Sequence, residues 1–168
     1  MRSAGGRAGA IAEPIAPAGL APTKSRRIHA LLEELAQECE ELSLEHLCDM
    51  EPHAAEEYLL SFKGVGPKTA AIVLLFDCGM PRFPVDTHIH RVSGRLGWIG
   101  ERTTPEQAYE LLTEMIPDEL HYQLHLNIVQ HGRETCRPSR PDCYACPISR
   151  FCDAYRNAEV EPRSRDSR

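Results

Sequence analysis

The stretch that decides the fold is Leu59–Leu75, LLSFKGVGPKTAAIVLL. It reads as a helix, a Gly64-Val65-Gly66 turn, and a second helix opened by Pro67. Glycines at both ends of the turn let the backbone bend sharply and approach a ligand closely. The free N–H groups at the start of the second helix form a ready phosphate site. A nucleotide-binding P-loop is excluded, because it needs Gly immediately before Lys where this chain has Pro67, and no strand precedes it. A helix–hairpin–helix gripping a nucleic-acid backbone fits better, against the ordinary reading of a tight connection between two helices. Lys68 stands in the first turn of the second helix. Partial positive charge at that end opposes an ammonium and favours the free amine, a nucleophile suited to Schiff-base chemistry.

Outward from this motif the chain reads as all helix. Thr23 is expected to cap a helix through about Cys39, with Ile28, Leu31, Leu32 and Leu35 inward. Ser43 starts a short turn through Cys48, and Pro52 opens a helix to about Phe62 with Tyr58 and Leu59 inward. The helix from Pro67 is apolar all round, which predicts burial. Further helices are expected over Thr87–Trp98 with Thr87 as cap, from Thr104-Pro105-Glu106 to near Pro117, and from about Asp118 to His131 with a stop at Gly132.

The segment RFPVDTHIHRV, Arg82–Val92, poses a choice. Asp86, His88 and His90 have the alternation of a metal-dependent hydrolase strand. A (β/α)8 barrel needs about 250 residues and eight strands, and this chain offers neither. On a helix, His88 and His90 point to different sides and share no metal. Asp86 then lies at the helix start after a Pro-containing loop, placed to aim a carboxylate at a site shared with Lys68.

Seven cysteines, Cys39, Cys48, Cys78, Cys136, Cys143, Cys146 and Cys152, argue by their odd count against a disulfide framework. The last four have the spacing C-x6-C-x2-C-x5-C. Structural zinc favours two separated C-x-x-C pairs, and only one is present, so a [4Fe–4S] cluster is favoured with zinc as the alternative.

The net charge of −6 is unusual for a nucleic-acid binder. It is concentrated: ten carboxylates and no Lys or Arg lie between Glu33 and Glu57. The Phe62–Gly100 and His131–Cys152 segments are mildly basic. No stretch approaches the roughly 20 apolar residues of a membrane span, and the N-terminus makes a poor signal peptide, so a cytoplasmic protein is expected.

The hairpin with its lysine, the following VDTHIHRV and the cysteine loop after HGRETC together resemble the endonuclease III family of DNA glycosylases, over roughly Ala18–Cys152. The resemblance implies an all-α helix–hairpin–helix fold with a partial six-helix barrel and a C-terminal [4Fe–4S] loop. It implies base-excision repair, with a damaged base, an oxidised pyrimidine as the usual substrate, flipped from duplex DNA and released. Lys68 matches the lysine that attacks C1′ and forms the Schiff base for β-elimination at the abasic site. Asp86 matches the carboxylate that assists it. Gly64 and Gly66 match the phosphate-binding hairpin, joined by Lys63, which stands where the family more often has proline. Arg137 and Arg140 match basic DNA-facing residues, and Cys136, Cys143, Cys146 and Cys152 match the cluster ligands.

The family has a longer N-terminal part, which supplies barrel helices and residues that wedge into the duplex. The expected organisation is a flexible segment over 1–17, a helical glycosylase domain over 18–132, a cluster loop over 133–153 and a disordered tail over 154–168, as a monomer. Two further readings stay open: a truncated, non-catalytic DNA-binding iron–sulfur module, and a metal-dependent hydrolase using His88 and His90.

Overall fold

The computed structural model describes residues 14, 21–38 and 43–157. The expectations for 1–17 and for the tail beyond Asn157 lie outside these, but for residue 14. The chain divides between Gly66 and Pro67 into two compact units. Every regular element among the described residues is helical.

In the first unit, α1 spans Ala21–Glu38. Thr23 lies inside this helix rather than capping it. Leu35 and Ser25 are buried, whereas Ile28 and Leu32 are exposed, so only part of the expected apolar stripe is covered. A 3₁₀ turn, Glu45–Asp49, brings Leu47 into the interior. The Ser43 hydroxyl accepts from the Glu45 N–H at 3.2 Å at its entrance. Helix α2, Pro52–Ser61, is capped by Glu51, whose carboxylate accepts from the N–H groups of His53 and Ala54. Proline at the first position costs nothing there, since its missing N–H would have no helical partner. Leu59 points inward as expected, Tyr58 is half-buried, and its ring meets Phe62 edge-on at 5.1 Å.

The second unit begins with α3, Pro67–Phe76. Ala70, Ala71, Leu74 and Leu75 are buried, but Ile72 and Phe76 are exposed. Full burial, expected from the uniform apolar sequence, is therefore corrected: a helix apolar on every side still presents only part of its circumference to a core. An irregular stretch leads to α4, Thr87–Leu96, then α5, Pro105–Met115, and α6, His121–Glu134. Thr104 forms a reciprocal capping box with Gln107 at the head of α5. Residues 118–120 form a separate 3₁₀ turn. A short α7, Asp153–Arg156, follows the cysteine loop, so regular structure continues past the last cysteine. The core of this unit gathers Phe83 and Val85 from the irregular stretch, Ile89 and Val92 from α4, Ala108 and Leu112 from α5 and Ile128 from α6.

Helix α6 does not stop at Gly132 but runs through it to Glu134. Glycine is needed there for proximity. A Cβ at 132 would stand 2.9 Å from the His88 Cβ and 3.2 Å from an Arg91 guanidinium nitrogen, so α4 and α6 pack backbone to side chain.

Candidate active site and cysteine centre

Asp86 enters α4 in extended conformation and serves as its N-cap. Its Oδ1 accepts from the backbone N–H groups of His88 and Ile89, each at 2.8 Å. The cap is thus Asp86 and not Thr87, which is the first residue of the helix proper. A carboxylate suits this end better than a hydroxyl, because the unpaired N–H groups and the helix dipole both favour negative charge. Oδ1 carries both capping bonds, which leaves Oδ2 for the site.

The approach to Asp86 is held by contacts from two helices. The Phe83 N–H donates to the Thr113 hydroxyl of α5 at 3.3 Å. The Pro84 carbonyl accepts from His125 Nδ1 of α6 at 3.1 Å. The Phe83 ring lies edge-on to His121 and His125 at 5.6 and 6.0 Å. His125 is buried, and burial holds its pKa below the usual histidine range. The charge of Asp86 acts on the ring in the opposite direction, and that of Lys68 adds to the lowering. Lys68, exposed in the first turn of α3, and Asp86, at the head of α4, therefore lie within electrostatic reach of one imidazole.

His125 is the residue that the sequence reading missed. The signal was present: His121, His125, Ile128 and Gly132 recur at helical spacing along the buried side of α6.

His88 and His90 have separate partners. His90 Nε2 meets the Thr103 carbonyl at 2.7 Å, whereas His88 Nδ1 meets Arg91 Nη2 at 3.2 Å. The reading of a shared metal is therefore corrected. Arg91 also donates from Nε to the Cys136 carbonyl at 3.0 Å and from Nη2 to the Gly132 carbonyl at 2.8 Å. Burial lowers its pKa, opposed by the nearby Cys136.

Cys136, Cys143, Cys146 and Cys152 are free thiols that line one small cavity. Arg95 of α4 donates from Nη1 to Cys136 Sγ at 3.2 Å and to the Arg137 carbonyl at 2.7 Å, and from Nη2 to the Pro138 carbonyl at 2.8 Å. Cys152 Sγ donates to the Arg95 carbonyl at 3.1 Å. Burial pushes the Cys143 and Cys146 thiols up, and the neighbouring cysteines push the same way. Among the described residues, no three His, Cys, Asp or Glu side chains are arranged to hold a single metal ion.

The hairpin residues lie at the end of the first unit. Gly64 has φ +94°, a left-handed conformation that glycine adopts without strain. Lys63, Arg137 and Arg140 are exposed.

The sequence profile of the HhH-GPD superfamily of base excision DNA repair proteins matches residues 7–118. The chain belongs to this family. Among HhH-GPD relatives, endonuclease III of Thermotoga maritima is 42% identical over 118 residues, covering 70% of this chain and 54% of that protein. The DNA glycosylase/AP lyase ROS1 of Arabidopsis thaliana is 32% identical over 170 residues, covering 91% of this chain but 12% of that protein. The chain thus spans about half of one relative and a small part of the other. A trapped endonuclease III–DNA covalent intermediate superposes with a TM-score of 0.74 at 28% identity, over 90% of this chain and 67% of that one. A non-covalent endonuclease III–DNA complex gives 0.73 at 26%, over 95% and 72%. The all-α architecture is that of an endonuclease III-like HhH-GPD protein, and no described helix is long and apolar enough to cross a membrane.

Proposed function

We propose that this chain is a DNA glycosylase with abasic-site lyase activity that removes damaged bases, oxidised pyrimidines foremost, from duplex DNA. The observation that supports the reading is Asp86, which caps α4 through Oδ1 and whose charge, like that of Lys68, acts on the buried His125. The Lys68 amine attacks C1′ of the flipped nucleotide, the C1′–N bond breaks, and the base leaves with the bonding electrons. Asp86, with Oδ1 committed to the cap, presents Oδ2 to the positive charge that develops on the sugar and helps the amine lose its proton. Loss of the ring oxygen from C1′ opens the sugar to a protonated Schiff base on Lys68. That cation acidifies the C2′ proton, and β-elimination expels the 3′ phosphate. Attack by a positioned amine divides a hard displacement into easier steps. Flipping is required because the stack shields C1′ and the base.

The DNA backbone contacts fall to Gly64 and Gly66, to Lys63, and to Arg137 and Arg140. Cys136, Cys143, Cys146 and Cys152 would hold a [4Fe–4S] cluster. Four thiols lining a cavity, with the Arg95 guanidinium on one of them, fit the four-cysteine ligand set of such a cluster. When bound, such a cluster ties the loop together and offers one-electron chemistry. We place the protein as a monomer in the cytoplasm with nucleoid DNA, with residues 18–132 as the glycosylase domain and 133–153 as the cluster loop.

The test is borohydride trapping on duplex DNA with one abasic site. Lys24, Lys63 and Lys68 are the only lysines, so an adduct maps readily. A covalent complex lost in Lys68→Ala, with abasic-DNA binding retained, is expected. Folded wild-type protein that binds abasic DNA without an adduct would replace this reading with a non-catalytic DNA-binding module.

A further inference from the structure

Three residues before α4 the chain runs through Phe83-Pro84-Val85, all buried. Nothing in this stretch is helix or strand, so its position depends on individual contacts. Phe83 is fixed by its ring and its N–H. The Pro84 carbonyl lies two residues before Asp86 and accepts from His125 Nδ1. A carbonyl only accepts, so Nδ1 carries the proton. Burial holds the pKa of the ring below the usual histidine range. The ring is wedged between Phe76 at 5.5 Å and Phe83, which fixes its orientation.

We propose that His125 is a positioning residue of the lyase centre: by holding the Pro84 carbonyl it fixes the stretch that delivers the Asp86 carboxylate to the site it shares with Lys68. This inference rests on the lyase reading above. Its physical basis is that a buried carbonyl stripped of its donor seeks another partner, and the unsupported stretch moves to find one. A displacement of order 1 Å at a reacting group costs about a hundredfold in rate. A histidine that merely fills the core would affect stability, and its loss would add to any loss at Asp86.

The experiment compares single-turnover Schiff-base formation on abasic duplex DNA, read by borohydride trapping, in wild type, His125→Ala, His125→Asn, His125→Gln and each combined with Asp86→Asn. Helix content and melting temperature are followed in parallel. Asparagine places an N–H donor near the position of Nδ1, whereas glutamine carries its amide one methylene too far. His125→Ala and His125→Gln are expected to slow trapping about ten- to a hundredfold with unchanged affinity for abasic DNA. His125→Asn should recover most of the rate. In the Asp86→Asn background the same changes should cost little more, because the group being positioned is gone. If His125→Ala does not fold, the comparison of asparagine with glutamine decides alone. Equal rates for those two variants would overturn the inference, as would fully additive losses with Asp86→Asn. A wild-type adduct dependent on Lys68 keeps the lyase reading whatever the His125 variants do. Absence of that adduct removes the lyase reading and this inference with it.

Discussion

Gly132 stands so close to His88 that a Cβ added at 132 would fall 2.9 Å from the His88 Cβ. Two effects of opposite sign meet at this position. Alanine improves helix propensity by about 1 kcal/mol. Overpacking against a rigid neighbour costs about 1–3 kcal/mol. The neighbour here is a Cβ rather than the free end of a flexible side chain, so overpacking wins. Gly132→Ala should lower stability by up to about 2 kcal/mol, or about 2–4 °C in melting temperature for each kcal/mol lost. A rise in melting temperature would show that α4 and α6 separate without cost.

Asp86 caps α4 and is proposed to assist the chemistry, and substitution can separate the two. Asparagine caps helices about as well as aspartate, so Asp86→Asn should leave the melting temperature nearly unchanged while the trapping rate falls. Asp86→Ala removes the cap as well, at about 1 kcal/mol of stability. Equal melting temperatures for the two variants would mean that the 2.8 Å capping bonds add no net stability.

Arg95 spans Cys136 Sγ and two successive carbonyls, those of Arg137 and Pro138. The planar fork of a guanidinium reaches all three, and a lysine ammonium does not. Losing the equivalent of about 1.4 kcal/mol from this clamp changes an equilibrium about tenfold. In Arg95→Lys, iron purified with the protein should therefore be stripped by a chelator about ten times more readily, followed by visible absorbance. Unchanged chelator resistance would remove Arg95 from any role in holding the loop.

His125 also gives stability a pH dependence. Its folded pKa is held below the ordinary value of 6.5 by burial, so below that value the unfolded chain binds a proton that the folded protein resists. The contribution of His125 is complete above about pH 6.5. It is lost as pH falls, at up to about 1.4 kcal/mol per pH unit, until the folded ring protonates. Melting curves between about pH 7.5 and 5 should show this slope in the wild type and a shallower one in His125→Asn. Identical slopes would place the histidine in water.

The helix starts that carry Lys68 and Asp86, and the cysteine loop, were legible because each depends on a short local pattern. Lys68 follows a proline that opens a helix, Asp86 precedes one, and the four cysteines fall within seventeen residues. What escaped depends on which surfaces meet. Asp86 and Thr87 are both good caps, and the choice is settled by where the chain from Pro84 turns, not by propensity. Gly132 carries the usual mark of a helix end, yet the close approach of His88 accounts for it. His125 in HYQLHLNI resembles any amphipathic histidine until Pro84, forty-one residues away, is seen to need its proton. The exposure of Ile72 and Phe76 could not be read from a helix that is apolar on every side.

The carboxylate proposed for the chemistry also ties down the first turn of α4. The lifetime of the assembled centre therefore cannot exceed the lifetime of that turn. Each time the turn frays, the His88 and Ile89 amides open to solvent and the carboxylate swings free in the same event. The rate at which those two amides exchange with deuterium is thus a clock for how often the proposed site is momentarily without its carboxylate, readable with no DNA present.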